Sequence, residues 1–175
     1  PDLSADVPTI LDSLEMGFLP VPGLSPKTPS TPFKVRGKSL RIDLLTPQVR
    51  GETSPVHIHR LGAAAQPLPG LDYLLADTLA AAIVGGSGIL VQVPSPARFA
   101  LHKLATAGSR SMSEHTKSAK DLFQASQLIA LLAEDRPGEL RSAWSMLPGK
   151  RRSKPLRSAI EMLRTSHPVA AVLLG

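Results

Sequence analysis

Gly85-Gly86-Ser87 is the arrangement most suggestive of phosphate chemistry, because small residues in a turn let a ligand approach the backbone closely. Metal-assisted work there would require an alternating pair of carboxylates soon afterwards. No Asp or Glu occurs between Asp77 and Glu114, so the triplet reads as an ordinary tight turn before a strand. Asp43 is better placed. In the extended segment from Ser39 to Leu45, side chains alternate, with Leu40, Ile42 and Leu44 on one face and Arg41, Asp43 and Leu45 on the other. Asp43 is therefore expected to point away from the main apolar face, next to an arginine that can pair with it.

Other chemistries find less support. His57 and His59 could place two imidazoles on one strand face, but the chain has no cysteine and no nearby third ligand to complete a metal site. No serine sits in a nucleophile elbow and no Walker-type loop is present. A basic segment, Lys150, Arg151, Arg152, Lys154, Arg157 and Arg164, is either a solvated face or a grip on phosphate backbone, with Arg151, Arg152 and Lys154 its densest part.

The elements that must position these residues follow from hydrophobic spacing. Ser4 as a cap and the series Val7, Ile10, Leu11 and Leu14 predict a helix over 4–16, stopped by Gly17. The five prolines from Pro20 to Pro32 predict a long loop. Phe33 to Arg36 and Ser39 to Leu45, joined through Gly37 and Lys38, predict a β-hairpin. A strand at 56–61, a Leu/Ala-rich helix at 71–82 and a strand at 89–93 come next. Beyond Pro94 the pattern is helical, with helices over about 96–109, 113–133 and 137–147, and another from Pro155. The layout is α+β, with mixed sheet and helices in a domain at 1–93 and a helical bundle in a domain at 94–175.

Composition narrows the classes. With 42% hydrophobic and 19% charged residues, the chain reads as soluble and able to bury a sizeable core, without a membrane-spanning run. The lack of cysteine fits a cytoplasmic location. Pro1 to Asp6 does not resemble a signal peptide. A net charge of +6 favours an anionic partner, and only six aromatic residues make a base-stacking platform improbable, so nucleic acid would be held mainly by charge.

Three blocks carry a resemblance: GFLPVPGLSPKTPSTPFKVRGKSLRIDLLTP from Gly17 to Pro47, PSPARFALHKL at 94–104 and KSAKDLFQASQLIALLAEDRPGEL at 117–140. Their combination resembles a bacterial family of nucleotidyltransferase-fold proteins in the polymerase-β superfamily, distantly like abortive-infection type nucleotidyltransferase toxins. The likeness extends to about Trp144. It implies Mg²⁺-dependent transfer of a nucleotidyl group from an NTP to an acceptor, for which RNA is a candidate. By that resemblance Asp43 is the third catalytic, metal-binding carboxylate, Lys103 holds nucleotide phosphate and Asp121 helps form the nucleotide site. Each has an ordinary alternative: Asp43 paired with Arg41, Lys103 solvated on its helix, and Asp121 paired with Lys117 on the helix surface. If the roles hold, the three side chains should converge on one pocket.

The beginning departs from the family pattern. The resemblance requires a glycine turn and paired aspartates ahead of the 4–16 helix, and Asp2, Asp6 and Asp12 have no strand context to replace them. The expectation is that these 175 residues are the later part of a nucleotidyltransferase and are inactive as they stand. Two other classes remain open: a non-catalytic module binding nucleotide or RNA, and a toxin-like component neutralised by an antitoxin-like protein partner. A glycine turn followed by Asp-x-Asp upstream in the gene product would favour the enzyme.

Overall fold

The computed structural model describes residues 6–23, 25, 27–86, 88–149, 154–166 and 168. It contains mixed sheets and helices with a C-terminal helical region, an α+β fold. The chain divides into two compact units, Pro1–Asp72 and Tyr73–Gly175.

In the first unit, α1 (Val7–Ser13) is capped by Asp6, whose Oδ1 accepts from the Thr9 N–H at 2.8 Å. The expected start at Ser4 lies outside the described residues; the cap is Asp6 instead. Strands β1 (Phe18–Pro20), β2 (Pro32–Val35) and β3 (Arg41–Asp43) form an antiparallel sheet in that order. The predicted hairpin is β2–β3, pairing Phe33 with Ile42 and Lys34 with Arg41, with Gly37 at φ +74° in its turn.

The second sheet of this unit has the order β4 (Leu45–Pro47), β6 (Ala63–Leu68), β5 (Val56–Ile58). It is mixed: β6 runs parallel to β4 and antiparallel to β5. The Gln66 N–H donates to the Leu44 carbonyl at 2.8 Å, just beyond the end of β3. Leu11, Phe33 and Ala63 form a small core, against which Ile42 and Leu44 pack while Asp43 stays half exposed. The expected alternation therefore holds at Ile42, Asp43 and Leu44. Leu40 departs from it, being 41% exposed at the strand's entry.

In the second unit the segment expected as a helix over 71–82 differs. Only α2 (Leu71–Leu75), which bridges the unit boundary, is helical; β7 (Thr78–Ile83) then pairs antiparallel with β8 (Ile89–Pro94). Gly85, Gly86 and Gly88 lie in the turn of this hairpin, and Ser87 falls outside the described residues. Backbone pairing along six matched positions outweighs the helix preference of the Leu/Ala run.

Among the described residues four α-helices follow: α3 (Pro96–Ser109), α4 (His115–Asp135), α5 (Pro137–Met146) and α6 (Lys154–Ser166). Their apolar stripes meet in one core. Leu101 and Leu104 of α3, Ile129 and Leu132 of α4, and Leu156 and Leu163 of α6 are almost fully buried. Each such side chain contributes about 2 kcal/mol by leaving water. The Tyr73 hydroxyl of α2 donates to the Ala143 carbonyl of α5 at 2.8 Å.

Candidate nucleotide site

Lys103 and Asp121 arise on consecutive helices, and the short connection between them carries Arg110. Buried Ala100, Leu104 and Ala107 turn one side of α3 into the core, as Leu122 and Ala125 do for α4. Lys103 and Asp121 border these stripes. The Ser118 hydroxyl donates to the Ala107 carbonyl at 3.0 Å, tying the two helices together close to the connection. The Lys103 Nζ consequently reaches Asp121 Oδ1 at 2.7 Å.

Arg110 closes on the other oxygen. Its Nε and Nη2 donate to Asp121 Oδ2 at 3.0 and 2.8 Å, while its Nη1 reaches Glu114 Oε1 at 3.2 Å. Lys117 lies 3.5 Å from the same Glu114 oxygen. The ordinary alternative for Asp121, a surface pair with Lys117, is not what forms: Lys117 pairs with Glu114. Asp121 faces inward, with only 5% of its side chain exposed, and α3 supplies its partner.

Burial alone would raise the Asp121 carboxyl, but hydrogen bonds and charges from Lys103 and Arg110 outweigh it and hold the group below its ordinary value. Asp121 is thus an anion at neutral pH. Lys103 also stands 5.3 Å from the centre of the Phe99 ring, a cation–π distance. Three cations, Lys103, Arg110 and Lys117, share the two carboxylates of Asp121 and Glu114, leaving one positive charge over. Lys103 and Arg110 keep about a quarter of their side chains accessible. The cluster can therefore receive an anion without first ordering a loose side chain.

Arg110 was not singled out by the sequence. The usable signal was a lone arginine in a short polar connection between two helices that carry an unpaired lysine and aspartate near their core stripes.

Asp43 belongs to the first unit, on β3 at the edge of its sheet. Arg41 Nε donates to Asp43 Oδ1 at 2.8 Å, and Arg41 Nη2 lies 2.6 Å from the same oxygen. This is the pairing expected of two residues on one strand face. His57 and His59 pack edge to face at 4.8 Å between ring centres. Among the described residues no three His, Cys, Asp or Glu side chains come close enough to hold a metal ion. Arg151 and Arg152 lie outside the described residues; Lys154 is exposed at the start of α6.

The family model described as nucleotidyltransferase matches residues 2–148, which includes the two helices holding this cluster. The chain belongs to the nucleotidyltransferase family. No curated protein and no solved structure matches it. Membership supports a nucleotidyl-transfer type of function with an NTP as the substrate class, and nucleotidyltransferases generally use divalent metal ions. Among the described residues no helix is long and apolar enough to cross a membrane.

Proposed function

We propose that this nucleotidyltransferase binds the phosphates of an NTP at Lys103, with Asp121 and Arg110 as the frame that holds the lysine in place. The observation carrying this reading is the surplus cation around a buried, ionised Asp121. A lysine is a compact, mobile charge that can turn from a carboxylate to a phosphate oxygen. Arg110 is fixed by two bonds to Asp121 Oδ2 and maintains the carboxylate while Lys103 turns.

For Asp43 the proposed role is a carboxylate toward the divalent ion, with Mg²⁺ the ion to test first. The fit is incomplete: no metal-holding group exists among the described residues, and Arg41 engages the Asp43 oxygen. RNA is the acceptor to test first, because the chain carries a net charge of +6. Cytoplasm is the proposed location, consistent with a chain that contains no cysteine. Co-purification of the native protein tests for a neutralising partner.

The same incomplete metal set favours a second reading, a non-catalytic module that binds nucleotide. Equilibrium titration with each NTP tests the site in both. Lys103→Ala is expected to weaken binding by about tenfold or more, and Lys117→Ala by less than about twofold, since Lys117 is 70% exposed and its partner is Glu114 rather than Asp121. Equal affinity of the Lys103→Ala protein would remove Lys103 from the site. Labelled-nucleotide transfer with Mg²⁺ then separates enzyme from module.

A further inference from the structure

The first turn of α3 borders a cavity of about 370 Å³ that the nucleotide reading leaves unused. Arg98, on its wall, and Lys103 are five residues apart on one helix, hence about 140° apart around the axis. The cavity and the Lys103–Asp121 cluster therefore occupy different sides of α3.

The start of α3 brings donors without a partner among the described residues to the lining of this cavity. Ala97 and Arg98 are the second and third residues of α3, where backbone N–H groups have no carbonyl within the helix. The first helical bond closes only at Phe99, whose N–H donates to the Ser95 carbonyl at 2.9 Å. Ser95 stands in the capping position, yet its side chain makes no cap bond. Its hydroxyl has no partner among the described residues, although the residue is only 9% exposed.

Arg98 is 7% exposed. Its Nη1 donates to the Tyr73 carbonyl at 2.7 Å and its Nη2 to the Met146 sulfur at 3.1 Å. Its buried Nε has no hydrogen-bond partner among the described residues, and Asp77 Oδ2 stands off at 3.8 Å. The guanidinium is held by the protein's own groups, so the donors left for a ligand are the Ala97 and Arg98 backbone N–H groups and the Ser95 hydroxyl, and these favour an acceptor.

Two carboxylates border the same space. Asp77 is 59% exposed with its nearest cation at that 3.8 Å, and Glu139 is 47% exposed with Arg136 at 3.5 Å. A simple anion would be drawn to the helix end and repelled by these groups, and a simple cation would meet the reverse. One small molecule carrying both charges satisfies the donors and the carboxylates together, and the volume suits such a molecule. We propose that the cavity binds a small zwitterion of the amino-acid class. Its carboxylate lies on the Ala97 and Arg98 N–H groups and the Ser95 hydroxyl, and its ammonium group on Asp77 and Glu139.

The test is a titration of the ¹⁵N-labelled chain with each common L-amino acid, and with acetate, methylammonium and inorganic phosphate. At least one amino acid should produce saturable shifts at the Ala97 and Arg98 amides, with acetate and methylammonium at least about tenfold weaker. Ser95→Ala and Asp77→Asn should each weaken the amino acid by about tenfold. Ser95→Ala removes a hydroxyl without a partner, so it should retain the thermal midpoint of the parent protein. Acetate or phosphate binding as tightly as any amino acid would make this a plain anion site and overturn the proposal. Absence of saturable shifts with every probe, or unchanged amino-acid affinity in both variants, would overturn it as well.

Discussion

Lys103 and Asp121, eighteen residues apart in the chain, meet at 2.7 Å between α3 and α4, with Arg110 on the second carboxylate oxygen. The contact joins packing to function, because the carboxylate that ties the helices together also holds the cation proposed to receive phosphate. A buried charge is costly unless fully paired, so removing Asp121 leaves two cations facing each other. Asp121→Ala is expected to cost about 2–3 kcal/mol by urea unfolding, moderated because both cations can reach water. Lys103→Met should cost less, since Arg110 continues to pair with Asp121. A loss under about 0.5 kcal/mol in Asp121→Ala would mean that the cluster contributes little to the fold.

Acid should expose the same group. Because the folded state holds the Asp121 carboxyl below its ordinary value of 3.8, the unfolded chain takes up its proton first as pH falls. The stabilisation is complete above that ordinary value and is lost as pH falls from there through the lower folded value. Asp121→Asn should thus be less stable than the parent at pH 7, with the gap narrowing below about pH 4. Urea midpoints at several pH values measure this; a gap independent of pH would assign the effect to shape rather than charge.

The helical half was legible because its signals are local and repeated. Pro96 and Pro137 mark helix starts, and Leu122, Ala125, Ile129 and Leu132 recur at helical spacing and are all buried. Strand β6 gave no such signal. Its Ala63-Ala64-Ala65 run has little strand preference and Pro67 argues against a central strand, yet β6 lies between β4 and β5. The small side chains fit a tightly covered position, which only the partners reveal. In β7, Ala80, Ala81 and Ala82 suggested helix because the competing bonds come from β8, several residues later. Family likeness set Lys103 and Asp121 towards one pocket; their direct ion pair and the part played by Arg110 required the three-dimensional path of the connection between α3 and α4.

Gly108, near the end of α3, marks a close approach of α6. A Cβ there would overlap the Pro155 carbonyl oxygen and stand 3.2 Å from the Ala159 Cβ. Backbone cannot yield as a flexible side chain does, so Gly108→Ala should force α6 away from α3. The expected loss is about 2–3 kcal/mol or more, despite the better helix propensity of alanine. Thermal unfolding of Gly108→Ala measures it, and an unchanged or raised midpoint would contradict the close crossing.

Asp43 gives a sharper separation of stability from activity. Its exposed pair with Arg41 is worth less than about 0.5–1 kcal/mol, so Asp43→Asn should unfold close to the parent. In the proposed role toward the divalent ion, it should nevertheless be essential. In gene product that performs transfer, the variant is expected to lose at least about a hundredfold in rate, the equivalent of several kcal/mol of metal-assisted stabilisation. Arg41→Ala should retain activity, since it frees the Asp43 oxygen. Full turnover in Asp43→Asn would leave Asp43 as the partner of Arg41 alone.

The basic segment is best judged by salt. Lys154 and Arg157 are exposed on the outer side of α6, whereas Arg164 already pairs with Glu161 at 3.2 Å and has less charge to offer. If the segment grips RNA, each cation displaces a counterion, so log affinity should fall linearly with log salt. Replacing Arg151, Arg152 and Lys154 together by alanine should lower affinity equally for unrelated sequences and reduce the slope by about 2 for single-stranded RNA. Arg164→Ala should leave the slope nearly unchanged. Fluorescence anisotropy with two unrelated oligonucleotides from low to physiological salt provides the measurement. An unchanged slope in the triple variant would make the segment a solvated face, and any RNA affinity would then have to come from cations elsewhere on the chain.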